Sequence, residues 1–157
     1  MRTPWIWAVV HVQDAHQAHK NVDLAASMNV DGIFLIQMDG HDEILDPIGK
    51  SIRRRHPQLR LGVNYLSLSA EAALRRSLTN GWDATWCDAC GVRSGATDPI
   101  AHVLAALLRT HPDHLFFGGV AFKYQAVDDN PPLAAKTAYQ LGMIPTTSGV
   151  ATGAAPN

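Results

Sequence analysis

Three features of this sequence predict an α/β chain of the (β/α)8-barrel type. Short apolar runs recur at a near-constant interval. Helical patterns alternate with them, and polar residues stand at the end of every run.

The runs are Trp5 to Val12, Gly32 to Met38, Arg60 to Leu66, Ala84 to Ala89, Leu115 to Phe122 and Met143 to Thr147. They start roughly 24 to 31 residues apart, the length of one βα unit. Their β-branched and aromatic content suits strands buried on both faces of a parallel sheet.

The intervening segments read as helices. Asp14 to Asn29 places Ala18, Val22, Ala25 and Ala26 at helical spacing, and Ile44 to His56 repeats isoleucine every four residues. Ser69 is the predicted N-cap of a helix over 69–80. Asp98-Pro99 starts the next helix, Asp as cap and Pro at the first helical position, running to about Thr110. Asn130-Pro131-Pro132 starts the last, which ends near Leu141-Gly142. Asn29, Gly81 and Gly142 follow helices and precede strands, where a positive φ returns the chain to the sheet.

Alternating β and α elements fit either a barrel or a doubly wound open sheet. The latter usually carries a glycine-rich turn after its first strand, but here the turn reads His11-Val12-Gln13-Asp14. Eight units at this interval need about 210 residues. The expectation is therefore a single incomplete barrel domain over residues 1–157, truncated after about six βα units. We favour truncation of a longer polypeptide over completion by a partner. Open edges also leave room for a homo-oligomer that completes or covers them.

Net charge is −1, with 46% hydrophobic and 17% charged residues. Neither a nucleic-acid partner nor a membrane surface is expected from that balance. The basic run Arg53-Arg54-Arg55 ends a helix pattern, where it suits the helix C-terminus and solvent. No segment has the ~20 apolar residues of a membrane span, and the N-terminus reads as a strand rather than a signal peptide. Two cysteines and no export signal point to the cytoplasm with free thiols.

Barrel active sites gather at the C-terminal ends of the strands. The candidates for catalysis are Lys123, Asp88 and His11. The candidates for substrate binding are Asn64, Gln37, Asp39, Tyr124, Thr146, Thr147, Ser148, Gly149, Thr152 and Gly153. Lysine in such a mouth can act as base, Schiff-base nucleophile or anion clamp. Asp88 on the neighbouring strand can serve as general base or orient Lys123. His11 can donate to a substrate oxygen or shuttle a proton. Ser148 to Gly153, rich in small residues and hydroxyls, suits a phosphate or carboxylate cradle. No cofactor and no metal are expected. Cys87-Asp88-Ala89-Cys90 has no second pair, and a solvated helix face accounts for His16 and His19.

The stretch LGVNYLSLSAEAALRRSLTNGWDATWCD resembles the middle of the BtpA family, with its "GVN-L" strand, alanine-rich helix and Gly-Ala-Asp-type strand start. DGIFLI and the ending TTSGVATGAAPN are similar to that family's second strand and Gly/Thr-rich segment. The N-terminal strand, HVQDAH, departs from the family's proline-rich opening. BtpA proteins are barrels linked to photosystem I biogenesis in phototrophs and found widely in other bacteria. They are related to phosphoribosyl-binding barrels and have no firmly assigned reaction. The resemblance implies the fold.

The expected function is an enzyme that binds a small anionic or phosphorylated metabolite and performs isomerase- or lyase-type acid/base chemistry. A non-catalytic assembly or regulatory protein built on a barrel is the alternative, with a metal-dependent hydrolase behind it.

Overall fold

The computed structural model describes residues 4–148. In chain order the elements are β1 (Trp7–His11), α1 (Ala15–Ser27), β2 (Gly32–Ile36), a 3-10 turn (Asp42–Ile44), α2 (Leu45–Arg55) and β3 (Arg60–Asn64). There follow α3 (Ala70–Asn80), β4 (Ala84–Cys87), β5 (Val92–Arg93), β6 (Ala96–Thr97), α4 (Pro99–Thr110), β7 (Leu115–Gly119), α5 (Pro131–Gln140) and β8 (Ile144–Thr146). All six expected apolar runs contain a strand. The sequence reading passed over β5 and β6, a two-residue antiparallel hairpin turned by Ser94-Gly95, with Gly95 at φ 76°.

Six strands form one parallel sheet in the order β1-β2-β3-β4-β7-β8. Each strand lies beside its predecessor, and the order never reverses as a doubly wound sheet requires. Right-handed crossovers in such an order put every helix on the same face. That face holds the main core: Val10, Ile33, Leu35, Leu61, Val63 and Phe116 pack against helix residues such as Val22, Ile48, Leu74 and Leu104.

The opposite face carries Trp7, Phe34, Trp86 and Phe117. The Trp7 and Phe117 ring centroids are 5.3 Å apart, although β1 and β7 are separated by three strands. A flat sheet would hold those strands about 19 Å apart at ordinary spacing, so the sheet is strongly curled with the aromatic residues inside. Phe34 completes the cluster at 4.8 Å from Trp7 and 5.1 Å from Phe117. Glycines make room for it: a Cβ on Gly62 would lie 2.3 Å from the Phe34 ring.

The helix boundaries follow the expected signals. Asp14 caps α1 by accepting from the Gln17 N–H at 2.8 Å, and Ser69 caps α3 through the Ala72 N–H. Asn130 caps α5 through the Leu133 N–H. Asp98 differs: it occupies the cap position of α4, but its side chain makes no capping bond. Pro99 supplies that start by its fixed φ alone. Asn29 (φ 55°), Gly81 (φ 70°) and Gly142 (φ 84°) all take the left-handed conformation at helix ends.

Aspartates just before two strands repeat one device. Asp31 accepts from the Ile6 N–H and Asp83 from the Leu61 N–H, each at 2.7 Å, tying a junction to the preceding strand. Arg53 and Arg55 do not simply face solvent; they reach Asp83 and Asp23. Among the described residues no helix is long and apolar enough to cross a membrane.

Candidate functional site

The C-terminal rim of the sheet brings candidates into contact in three pairs: Asn64 with Asp88, Gln37 with Asp39 and Lys123 with Ser148. Asn64 ends β3 on the concave face, 1% exposed, and its Nδ2 donates to Asp88 Oδ1 at 3.2 Å. Both line a cleft of about 290 Å³ with Leu66, Ser69 and Ala70. Asp88 is held there by its backbone. A Cβ on Gly119 would come within 2.0 Å of the Asp88 carbonyl oxygen, so glycine at the end of β7 lets the β4–α4 loop cross over it. The Gln125 amide also donates to that carbonyl.

Lys123 stands on the neighbouring β7–α5 loop, in a separate cleft of about 200 Å³ with Phe122, Tyr124, Asp128 and Ser148. It is not among the residues that line the Asn64–Asp88 cleft. Its Nζ lies 5.9 Å from the Phe122 ring centroid and 5.8 Å from that of Tyr124. Its backbone N–H donates to Ser148 Oγ at 2.8 Å, and Thr147 Oγ1 donates to the Ala121 carbonyl at 3.2 Å. Ala121 (φ 47°) and Tyr124 (φ 64°) both hold left-handed backbone conformations. For a residue with a Cβ, each costs about 1–2 kcal/mol.

A third cleft, about 470 Å³, lies between this loop and the β5–β6 hairpin, with Arg93, Asp98, Tyr124 and Gln125 on its walls. Asp128 joins the two loops: its carboxylate accepts from the Ser94 N–H at 2.8 Å and the Asn130 N–H at 2.9 Å. The Ser94 side chain, these N–H donors and nearby Arg93 hold its carboxyl below the usual aspartate range. Sequence reasoning passed over Asp128 and Arg93. The Ser-Gly turn between two short β-prone pairs was the available signal.

The other candidates are more dispersed. His11 ends β1, exposed and on the concave face, in register with Ile36 and through it with Asn64. Two strand spacings, about 10 Å, separate the backbones of His11 and Asn64. Gln37 is 4% exposed and committed to its own loop. Its Oε1 accepts from the Asp39 N–H at 2.7 Å and the His41 N–H at 2.9 Å, and its Nε2 donates to Asp39 at 3.2 Å. Thr146 ends β8 with a buried hydroxyl that has no hydrogen-bond partner among the described residues. Gly149, Thr152 and Gly153 lie outside the described residues.

Cys87 and Cys90 are free and buried. Burial pushes the Cys87 thiol up to about 12 and the Cys90 thiol up to about 11, which keeps both protonated and unreactive at neutral pH. His19 bonds Ser51 at 3.0 Å, and among the described residues no three His, Cys, Asp or Glu side chains are grouped to hold a metal ion.

The rim thus offers a carboxylate steered by an amide, a lysine on a strained loop in a neighbouring cleft, and one cleft, of about 470 Å³, within the size range of small-molecule sites. No family model matches the chain, and no curated protein matches it either.

Proposed function

We propose that this protein is a barrel-type enzyme, similar to the BtpA family, that binds a small anionic or phosphorylated metabolite at the C-terminal ends of its strands. The observation that carries this reading is the coincidence of a one-way, strongly curled parallel sheet with the Asn64–Asp88 pair at its C-terminal rim. One-way order and curvature favour a (β/α)8-type closure, and such folds place chemistry at that rim.

In this reading the roles divide between clefts. Asp88 is the acid/base group, with Asn64 orienting its carboxylate. Lys123, one loop away, serves as the anion clamp rather than as a direct proton partner of Asp88. His11 and Thr146 approach from the two edge strands.

The separation of Lys123 from Asp88 also favours a second reading, a non-catalytic assembly or regulatory protein that keeps the barrel scaffold. The metal-dependent alternative draws no support from the described residues.

Titration with inorganic phosphate, followed by backbone amide chemical shifts, tests the binding claim. Shifts should centre on Asn64, Asp88, Lys123 and Ser148, and Lys123→Ala should weaken affinity about 10-fold. Shifts centred on the opposite rim would sink the proposal. A turnover screen over phosphorylated and carboxylated metabolites then separates the two readings. The enzyme reading requires a substrate whose turnover disappears in Asp88→Asn while phosphate affinity persists.

A further inference from the structure

The β7–α5 loop carries a cost that folding does not explain. Three non-glycine residues of the described chain have positive φ, and two of them, Ala121 and Tyr124, bracket Phe122-Lys123. The third, Asn29, closes a helix, where asparagine suits the conformation. Tyr124 gains little burial in return: it is 82% exposed, with the Lys123 Nζ 5.8 Å from its ring centroid. Glycine would hold the same turn without strain, yet an aromatic ring stands there.

The loop is nonetheless firmly fixed. The Phe122 N–H donates to Gln125 Oε1 at 3.2 Å, and the Gln125 N–H donates to the Phe122 carbonyl at 3.1 Å. Ser148 and Thr147 hold Lys123 and Ala121 from the β8 side, and the Gln125 amide ties the loop to Asp88. The result is an exposed ring held in a defined position, with clefts on both sides. Lys123 lines the smaller cleft and Arg93 the larger. A ring presented this way offers a stacking face, and the two cations can hold the negative group of whatever stacks there.

We propose that the 121–125 loop is a preformed clamp for a planar, π-bearing anion: an unsaturated or aromatic ring lies on Tyr124, and its phosphate or carboxylate is held by Lys123 or Arg93. This rests on the reading of the rim as an anion site and narrows its ligand class. Phe122, buried within the same loop, has its ring centroid 5.9 Å from the Lys123 Nζ.

Calorimetric titration with phenyl phosphate, cyclohexyl phosphate and inorganic phosphate tests the clamp. Phenyl phosphate should bind about 5-fold tighter than its saturated analogue. Tyr124→Phe should keep that preference, and Tyr124→Leu should abolish it. Tyr124→Gly should also abolish it while melting no lower than the natural protein, because the strain is relieved. Equal affinity for the two esters, or a preference that survives in Tyr124→Gly, overturns the clamp and leaves the anion site standing. If neither ester nor inorganic phosphate binds, the rim reading fails and the clamp with it.

Discussion

The two rims of the sheet are both rich in polar side chains, and they use them differently. At the N-terminal rim the polar groups answer one another. Asp83 accepts from Arg53 at 2.5 Å and from the Leu61 N–H at 2.7 Å. His114 sits between the Trp82 carbonyl at 3.0 Å and Thr85 Oγ1 at 2.8 Å. At the C-terminal rim Asn64 and Asp88 pair across neighbouring strands, two loop residues that carry a Cβ, Ala121 and Tyr124, are left-handed, and a glycine is required for Asp88 to reach its place. Polarity alone therefore does not mark a site. Gln37 makes the point at the C-terminal rim itself, since its whole amide is spent on its own loop.

The largest effect that would sharpen this contrast is steric. Gly119→Ala sets a methyl group against the Asp88 backbone and should cost about 3 kcal/mol in urea unfolding. A loss smaller than that of the next variant would show that the C-terminal loops yield easily, and the contrast would fail.

Next comes Asp83→Ala at the opposite rim. It strips a charge-assisted bond from Arg53 and the acceptor of the Leu61 N–H. About 2 kcal/mol should disappear, with no change in phosphate affinity. A change in binding would count against the proposed placement of the anion site at the C-terminal rim.

The smallest effect is pH-dependent. Burial holds His114 below its ordinary value of 6.5, partly offset by its bond to the Trp82 carbonyl. A depressed histidine pKa means the unfolded chain binds the proton first. Its stabilising contribution is therefore whole above pH 6.5 and is lost as pH falls below that value toward the folded pKa. Thermal melts at pH 7 and pH 5 should show a larger drop for the natural protein than for His114→Gln. Equal drops would mean that this histidine accepts its proton in place.

What the sequence by itself determined is the periodic part of the molecule. Apolar runs such as Gly32–Ile36 locate the strands because a strand buried on both faces must be apolar throughout. Ser69, Pro99, Gly81 and Gly142 locate helix ends because capping and positive φ are local demands. The tips of the strands were legible for the same reason.

Tertiary structure alone decided what those residues do. Nothing in the chain near Gln37 says that its amide turns inward. Nothing near Asp88 says that Asn64, 24 residues earlier, would be its partner while Lys123 lines another cleft. The β5–β6 hairpin and the Asp128 link to Ser94 are likewise contacts between distant segments. Local propensity acts over a few residues. Sheet curvature and loop crossing act over the whole chain, and they settle which polar group meets which partner.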